Sequence, residues 1–195
     1  MKNKNIMIVG VGGQGSLLTS RILGNAALKL GHDVKVSEVH GMSQRGGSVV
    51  TYVRYGEKIQ SPIICRGEAD IIIAFEQLEA IRWISYLKKG GILITSTQKI
   101  NPMPVITGTA EYPENIINKI ADKGIKIIAV DALELAKQAG TDKASNVVLI
   151  GVLAKYMQQE NISSEIYTDA LKESINPKLF DVNLKAFELG YGIYA

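Results

Sequence analysis

Residues 6–15 have the sequence Ile6-Met7-Ile8-Val9-Gly10-Val11-Gly12-Gly13-Gln14-Gly15. Four apolar residues that run directly into glycines are typical of a buried strand that ends in a tight turn. Gly10, Gly12 and Gly15 have the spacing Gly-x-Gly-x-x-Gly, which joins the first strand of many nucleotide-binding folds to a helix. The stretch therefore predicts the start of an α/β fold.

The segment after the glycines has the periodicity of a helix. Between Gly13 and Leu30, apolar residues recur at spacings of three and four, and Gly31 ends the pattern. Residues 34–39 have the character of a second strand. A strand, a helix and a second strand form a βαβ unit, whose crossover we expect to be right-handed.

The chain then departs from a regular alternation of strands and helices. Residues 40–48 are polar and rich in glycine, which predicts a loop. Residues 49–55 alternate as a strand does, and residues 58–60 are predicted to return as its antiparallel partner. Further strands are predicted at 69–75, 92–95 and 125–130, and helices at 76–87, 113–123, 132–140, 146–158, 164–175 and 177–190.

This pattern predicts an α/β fold with a Rossmann-like, doubly wound, mainly parallel sheet. The sheet should carry one antiparallel hairpin excursion, and the C-terminus should be helical. We expect residues 1–195 to form a single domain, with an α/β core at 1–145 and helices at 146–195 packed on it.

Composition excludes several classes of function. The 22 basic and 19 acidic residues leave a net charge of +3, and no basic stripe is visible, so we expect no nucleic-acid binding. No apolar run is long enough to span a bilayer, and residues 1–5 lead into a strand rather than a signal-peptide core. We therefore expect no membrane contact and a cytoplasmic location.

Redox centres and metal sites lack their usual ligands. Cys65 is the only cysteine, so the chain can neither close an internal disulfide nor supply four thiolates to an iron–sulfur cluster. The two histidines, His32 and His40, form no zinc-type cluster with it. We expect no metal in this chain, and any electrons must be carried by a partner.

The glycine loop is the first candidate binding site. Glycines let the backbone approach a ligand closely, and a helix N-terminus presents free N–H groups that favour a phosphate. Gly10, Gly12, Gly13, Gln14 and Gly15 are therefore candidates for contact with a cofactor. The alternative is that the loop only fits a helix tightly against a sheet. Glu38, near the end of the second strand, is a candidate ribose ligand or, alternatively, a carboxylate that organises the next loop.

The polar loop after Glu38 is the second candidate. Arg45, flanked by Gly46 and Gly47, can bind a carboxylate or phosphate with two parallel hydrogen bonds, and Ser43 can add a hydroxyl. The alternative is that Arg45 pairs with Glu38 or with a partner chain. Ser43 and His40 as a nucleophile and base lack a third orienting group, so we assign no catalytic residue.

Several motifs together resemble one family. The chain is similar to the gamma-type subunit or domain of 2-oxoacid:ferredoxin oxidoreductases, and within that group to the indolepyruvate branch. The resemblance covers nearly the whole chain and is most specific at Gly-Met-Ser-Gln-Arg-Gly-Gly. It is carried by residues 9–16, 38–49, 61–62, 67–70, 75–80 and 183–190.

The resemblance implies a reaction and a partner. Such enzymes decarboxylate a 2-oxoacid on thiamine diphosphate, reduce ferredoxin through iron–sulfur clusters and form an acyl-CoA. Thiamine diphosphate and the clusters are expected on a large partner subunit, and this chain is expected to bind no cofactor alone. It would shape a coenzyme A site at the subunit interface, meet ferredoxin only indirectly, be inactive alone and self-associate when isolated. The alternative is a free-standing NAD(P)- or nucleotide-binding Rossmann protein.

Overall fold

The computed structural model describes residues 3–40 and 47–193. Its strands are β1 (Lys4–Val11), β2 (Asp33–His40), β3 (Ser48–Gly56), β4 (Ala69–Ala74), β5 (Leu87–Ser96) and β6 (Lys126–Val130). Its α-helices are α1 (Ser16–Lys29), α2 (Gln77–Trp83), α3 (Met103–Ile106), α4 (Ile116–Ala121), α5 (Ala132–Ala139), α6 (Ser145–Met157), α7 (Ser164–Ser174) and α8 (Phe180–Gly192). Short 3₁₀ turns lie at 84–86, 142–144, 158–160 and 177–179.

The six strands form one sheet in the order β2-β3-β1-β4-β5-β6. β1, β4, β5 and β6 pair in parallel, whereas β3 is antiparallel to both of its neighbours, β1 and β2. The predicted fold class, a mainly parallel doubly wound sheet with an antiparallel excursion, is confirmed. The prediction for residues 58–60 is wrong. They form no strand, and the N–H of buried Ile59 donates to Asp33 Oδ2 at 2.8 Å instead.

Alternating side chains build a core on each face of the sheet. Ile6 and Ile8 of β1 face the side covered by α1 and by the helices after Val130, whereas Met7 and Val9 face α2 and α4. Because successive side chains of a strand point to opposite faces, a strand of continuous apolar residues is buried on both sides. Such apolar runs made β1 and β4 recognisable in the sequence.

Several element boundaries differ from those predicted. The helix predicted at 76–87 ends at Trp83, and β5 begins already at Leu87 because it pairs there with Ala69 across an irregular register. The helix predicted at 113–123 covers only Ile116–Ala121, after Asn115 with φ of 54°. Residues 103–106, where no helix is predicted, form the short helix α3.

The C-terminal helices pack around α6, which is buried along most of its length. Helix α8 lies against it at two glycines. A Cβ at Gly190 would overlap the backbone of Val148, and one at Gly151 would overlap the carbonyl of Phe187. The two helices approach so closely because neither glycine has a side chain.

None of the helices within residues 3–40 and 47–193 has both the length and the apolar character that a transmembrane span requires.

Candidate functional site

One edge of the sheet collects most of the predicted site residues. β1, β2, β4, β5 and β6 all end at this edge, and β3 begins there, because Ser48 pairs with Val11 and Val49 pairs with both Gly10 and His40. We call it the carboxyl edge. Ligands of open α/β sheets bind at the carboxyl ends of the strands, so this edge is the candidate site.

The glycine loop needs its glycines for two different reasons. Gly13 has φ of 97°, and no atom of residues 3–40 and 47–193 lies within 4 Å of a Cβ placed there, so among these residues only the backbone conformation requires glycine. Gly10 has no room for a side chain, because a Cβ there would lie 2.9 Å from both Gln14 Oε1 and the Phe75 ring. Gly12 N–H donates to the Gly47 carbonyl at 3.0 Å, which joins the glycine loop to the end of the polar loop.

Gln14 anchors the glycine loop to its surroundings. Its Oε1 accepts from Val11 N–H at 2.9 Å, and its Nε2 donates to the Phe75 carbonyl at 3.1 Å and to Gln98 Oε1 at 3.2 Å. The amide side chain therefore ties the loop to the ends of β4 and β5. The structure assigns Gln14 this positioning role, which is compatible with a ligand contact but explains the residue without one.

The N-terminus of α1 lies at the carboxyl edge. Its N-cap residue, Gly15, has φ of 86°, and no side chain in the described part of the chain caps the first turn. Buried Asn146, in the first turn of α6, lies behind this point and donates to the Gly15 carbonyl at 3.3 Å and to Thr19 Oγ1 at 3.4 Å. An uncapped helix start carries free N–H donors and a partial positive charge, which favour an anion.

Glu38 lies farther from the glycine loop than a dinucleotide fold would place it. In such folds the second strand neighbours the first, whereas here β3 separates β2 from β1, a shift of about one strand spacing, ~4.8 Å. Glu38 Oε2 accepts from Thr51 Oγ1 of β3 at 2.8 Å. The insertion of β3 argues against a ribose contact and favours the loop-organising role.

The polar loop is described only at its end. Gly47 lies beside Gly12, and β3 begins at Ser48. The candidates Ser43, Arg45 and Gly46 lie outside the described residues.

The first turn of α2 contributes two buried carboxylates that are absent from the predicted site. Glu76 and Glu79 are each only 1% exposed. Gln77, between them, donates through its side chain to the Thr97 carbonyl and through its backbone N–H to the Gln98 carbonyl at 3.1 Å. We call these three residues the α2 entry turn. The α2 entry turn is thereby bound to the loop that follows β5 at the carboxyl edge.

Glu76 binds the loop after β5. Its Oε2 accepts from Glu79 N–H at 3.0 Å and caps α2, and its Oε1 accepts from Ile100 N–H at 3.1 Å and from the Tyr112 hydroxyl. Burial and the adjacent Glu76 carboxylate raise the pKa of Tyr112 well above its ordinary value, so this hydroxyl remains a donor.

Glu79 binds the start of β3. Its Oε2 accepts from Ser48 Oγ at 2.5 Å and from Trp83 Nε1 at 3.3 Å, and its Oε1 accepts from Arg82 at 2.5 Å. A buried carboxylate is costly unless donors surround it, and here three donors do. The spacing Glu76-x-x-Glu79 indicates a helix cap, but no sequence signal identifies Ser48 as a partner 31 residues away.

The described residues of the edge present groups that can bind a ligand. Within residues 3–40 and 47–193, no group of three or more His, Cys, Asp and Glu side chains has the arrangement of a metal site. The only cysteine, Cys65, is exposed and precedes β4, whose first residue lies at the opposite edge. What the edge presents is backbone N–H donors, an open helix start and a set of carboxylates that fix the loops.

Comparison with known proteins gives one consistent family. The family of pyruvate ferredoxin/flavodoxin oxidoreductases matches residues 5–193. The indolepyruvate oxidoreductase subunit IorB of Thermococcus kodakarensis is 47% identical over 193 residues, which cover 97% of this chain and 95% of that protein.

Two solved structures share the fold. Pyruvate oxidoreductase subunit PORC of Thermotoga maritima has a TM-score of 0.73 at 21% identity, over 98% of this chain and 97% of that one. The 2-oxoglutarate:ferredoxin oxidoreductase of Magnetococcus marinus, solved with coenzyme A bound, has a TM-score of 0.73 at 21% identity. There the match covers 98% of this chain but only 31% of the other.

Proposed function

Because the chain belongs to the pyruvate ferredoxin/flavodoxin oxidoreductase family, we propose that it is a subunit of a ferredoxin-dependent oxidoreductase that acts on indolepyruvate or a similar aryl pyruvate. The products would be an acyl-CoA, CO₂ and reduced ferredoxin. Family membership agrees with the resemblance drawn from the motifs. The branch is proposed from the name of the relative that is 47% identical over almost the entire chain.

A large partner subunit is part of the proposal. This subunit would hold thiamine diphosphate and the iron–sulfur clusters, transfer electrons to ferredoxin and leave the present chain inactive alone. Two observations support it: the single cysteine of this chain, and the fold match that covers only 31% of a longer oxidoreductase chain. The proposal keeps the cytoplasmic location expected from the sequence.

The exposed apolar surface is consistent with a chain that works in a complex. Leu17 and Leu28 on α1 are 62% and 59% exposed, and Val36 and Val39 on the edge strand β2 are 45% and 53% exposed. Apolar side chains on an uncovered edge strand favour association with another protein. In the isolated chain, the same surface would favour self-association.

We assign the carboxyl edge to an anionic group of coenzyme A at the interface with the large subunit. The observation that carries this assignment is the start of α1, where no side chain of the described residues caps the first turn, with Gly13 beside it. The residues proposed to form this site, by contact or by holding its loops, are Gly10, Gly12, Gly13, Gln14, Gly15, Glu38, Ser43, Arg45, Gly46 and Gly47.

These residues would bind and orient rather than react. Backbone N–H groups and the positive end of α1 would hold a phosphate, and Arg45 would add a guanidinium. Gln14 and Glu38 would act indirectly, by holding the two loops in place. The reacting atoms would belong to the large subunit, so we assign no catalytic residue here.

Reconstitution with the large subunit tests the proposal. The two chains should co-purify, and the complex should reduce ferredoxin with indolepyruvate only when coenzyme A is present. Arg45→Ala should lower this activity about tenfold or more, as expected for the loss of a charge-assisted hydrogen bond, without unfolding the chain. Arg66→Ala, the same change before β4 at the opposite edge, should leave activity unchanged.

Calorimetry distinguishes the two classes of protein. Tight binding of NAD(H) or NADP(H) by the isolated chain, with no effect of coenzyme A on the complex, would contradict the proposed function. Equal activities of the Arg45→Ala and wild-type complexes would remove Arg45 from the site while leaving the subunit role intact.

A further inference from the structure

A short series of hydrogen bonds connects helix α2 to the glycine loop. Glu79 Oε2 accepts from Ser48 Oγ at 2.5 Å, and the adjacent Gly47 carbonyl accepts from Gly12 N–H at 3.0 Å. Ser48 is also paired with Val11 in the β1–β3 ladder. The end of the polar loop is therefore fixed between a buried carboxylate and the candidate anion-binding turn.

Glu79 is a buried carboxylate, and burial of a charged group is costly unless the group has a structural or functional role. It is 1% exposed, whereas the side chain of Arg82, its ion-pair partner, is 46% exposed. Capping of α2 does not account for it, because Glu76 already accepts from Glu79 N–H. Its oxygen that faces inward binds Ser48 and Trp83 rather than backbone of its own helix.

We propose that Glu79 is a positioning residue that acts through Ser48 to hold the Gly47 carbonyl against Gly12. Orientation of the Gly12 backbone then sets the direction of the neighbouring N–H groups toward an incoming anion. This inference rests on the proposed function for its ligand, coenzyme A, but the link itself concerns residues of this chain alone. It adds to the binding site a residue that contacts no ligand.

The link depends on the inward oxygen of Glu79 and not on its ion pair. In Glu79→Gln, the remaining carbonyl oxygen can still accept from Ser48, while the amide nitrogen turns toward the exposed side, where Arg82 is free to move away. Arg82→Ala removes the ion pair and leaves Ser48 in place. Ser48→Ala removes only the hydroxyl that joins Glu79 to the polar loop.

Steady-state kinetics of the reconstituted complex should separate these variants. Ser48→Ala and Glu79→Ala should raise the KM for coenzyme A about tenfold, as expected for the loss of one hydrogen bond. The kcat at saturating coenzyme A should stay within about twofold, because the reacting groups are elsewhere. Glu79→Gln and Arg82→Ala should keep the wild-type KM, and Ser48→Thr, which retains a hydroxyl, should restore it.

The isolated chain gives a second readout that needs no partner. Amide hydrogen exchange at Gly12, followed by NMR, should be at least tenfold faster in Ser48→Ala than in wild type and unchanged in Arg82→Ala. Trp83 is the only tryptophan, and its Nε1 lies 3.3 Å from Glu79 Oε2 and 3.4 Å from Ser48 Oγ. The fluorescence of Trp83 should therefore change in Ser48→Ala, because the indole N–H loses one of its two neighbours and is sensitive to movement of the Glu79 carboxylate.

The KM for coenzyme A and the exchange rate of the Gly12 amide test different parts of the inference. Unchanged Gly12 exchange in Ser48→Ala overturns the inference whatever the activity of the complex. Faster exchange with an unchanged KM overturns the positioning role while leaving the proposed function intact. A wild-type chain that forms no active complex overturns the proposed function, and Gly12 exchange still decides whether the link exists.

Discussion

Gln14 differs from the glycines around it because it is the residue whose side chain gives the loop its anchor. One end of its amide accepts from Val11 N–H, and the other end donates to the Phe75 carbonyl and to Gln98. An amide is the side chain that offers an acceptor and a donor at this separation. Glutamate has the same shape but, when ionised, only acceptors.

We therefore expect Gln14→Glu to make stability depend on pH. The carboxylate oxygen that replaces Nε2 would face the Phe75 carbonyl, so the folded-state pKa of the new side chain would be raised above its unfolded value of about 4.3. A raised folded-state pKa means that the variant matches wild type best below pH ~4.3 and loses stability as the pH rises through the folded-state pKa. The loss at neutral pH should be about 1–2 kcal/mol, the lower part of the cost of an unpaired polar group, because the side chain at residue 14 is only partly buried.

Urea unfolding of wild type, Gln14→Glu and Gln14→Met across pH 4.5 to 8 would measure this effect. The free energy of unfolding falls linearly with urea concentration, by roughly 1–3 kcal/mol per molar urea, and can therefore be extrapolated to water at each pH. Gln14→Met removes the hydrogen bonds at every pH, so its difference from wild type should be constant. A constant offset for Gln14→Glu as well would show that Gln14 does not face the Phe75 carbonyl.

At the residue scale, the sequence predicted where the site lies better than what each residue does there. The glycine spacing correctly located a strand-to-helix turn, because the backbone conformations of Gly13 and Gly15 are local properties. The roles of Gln14 and Asn146 were not predictable, because their partners lie 61, 84 and 131 residues away in the chain. Hydrogen-bond partners at such distances are set by the tertiary fold.

Helices α6 and α8 pack against each other at Gly190, where a single substitution can test the contact. A methyl group at Gly190 would enter the backbone of Val148, which cannot turn aside as a side chain could. Gly192, two residues later in the same helix, has no atom within 4 Å of the point where a methyl group would lie. The two glycines thus differ in surroundings while sharing one helix.

We expect Gly190→Ala to lower the free energy of unfolding by about 3 kcal/mol, the upper range for overpacking a well-packed contact. Gly192→Ala should leave it unchanged or raise it by up to about 1 kcal/mol, because alanine favours a helix. Thermal and urea unfolding of the two variants beside wild type give the comparison. Equal stability of both variants would mean that α8 does not pack at Gly190 as described.

Strand pairing was harder to predict than strand identity. Residues 49–55 were correctly assigned to a strand from their alternation, but the sequence suggested residues 58–60 as the partner. The actual partners are β1 and β2, so β3 lies between two strands that a simple βαβ unit would place side by side. The alternation of apolar and polar residues predicts that a strand has a buried face, but it does not predict which strand pairs with it.

For the molecule as a whole, we propose that residues 1–145 and the helices after them fold as one unit. Helix α6 supplies the buried centre of the larger core, in contact with residues of the sheet and of α1, α7 and α8. At about 1.5–3 kcal/mol for each large apolar side chain, its buried residues contribute about 9 kcal/mol or more, comparable to the whole stability of a domain. These residues are Val147, Val148, Leu149, Ile150, Val152 and Leu153.

A fragment of residues 1–145 should accordingly lack a cooperative unfolding transition. Far-UV circular dichroism during a urea titration would follow it, with the full chain as the reference. The full chain should show one transition with the same midpoint by circular dichroism and by Trp83 fluorescence. A fragment that unfolds cooperatively at the midpoint of the full chain would divide the molecule into two independent units.

The position of β3 also determines the order in which the sheet can be completed during synthesis. Among the described strands, β2 lies at the edge of the sheet and pairs with β3 alone, although β3 follows it in the chain. When β1, α1 and β2 have left the ribosome, β2 still has no strand to pair with, and it acquires one only when residues 48–56 emerge. The first 56 residues are thus the shortest nascent chain that contains the native partner of its own edge strand, and residues 41–47, which connect β2 to β3, must leave the ribosome before that strand can pair.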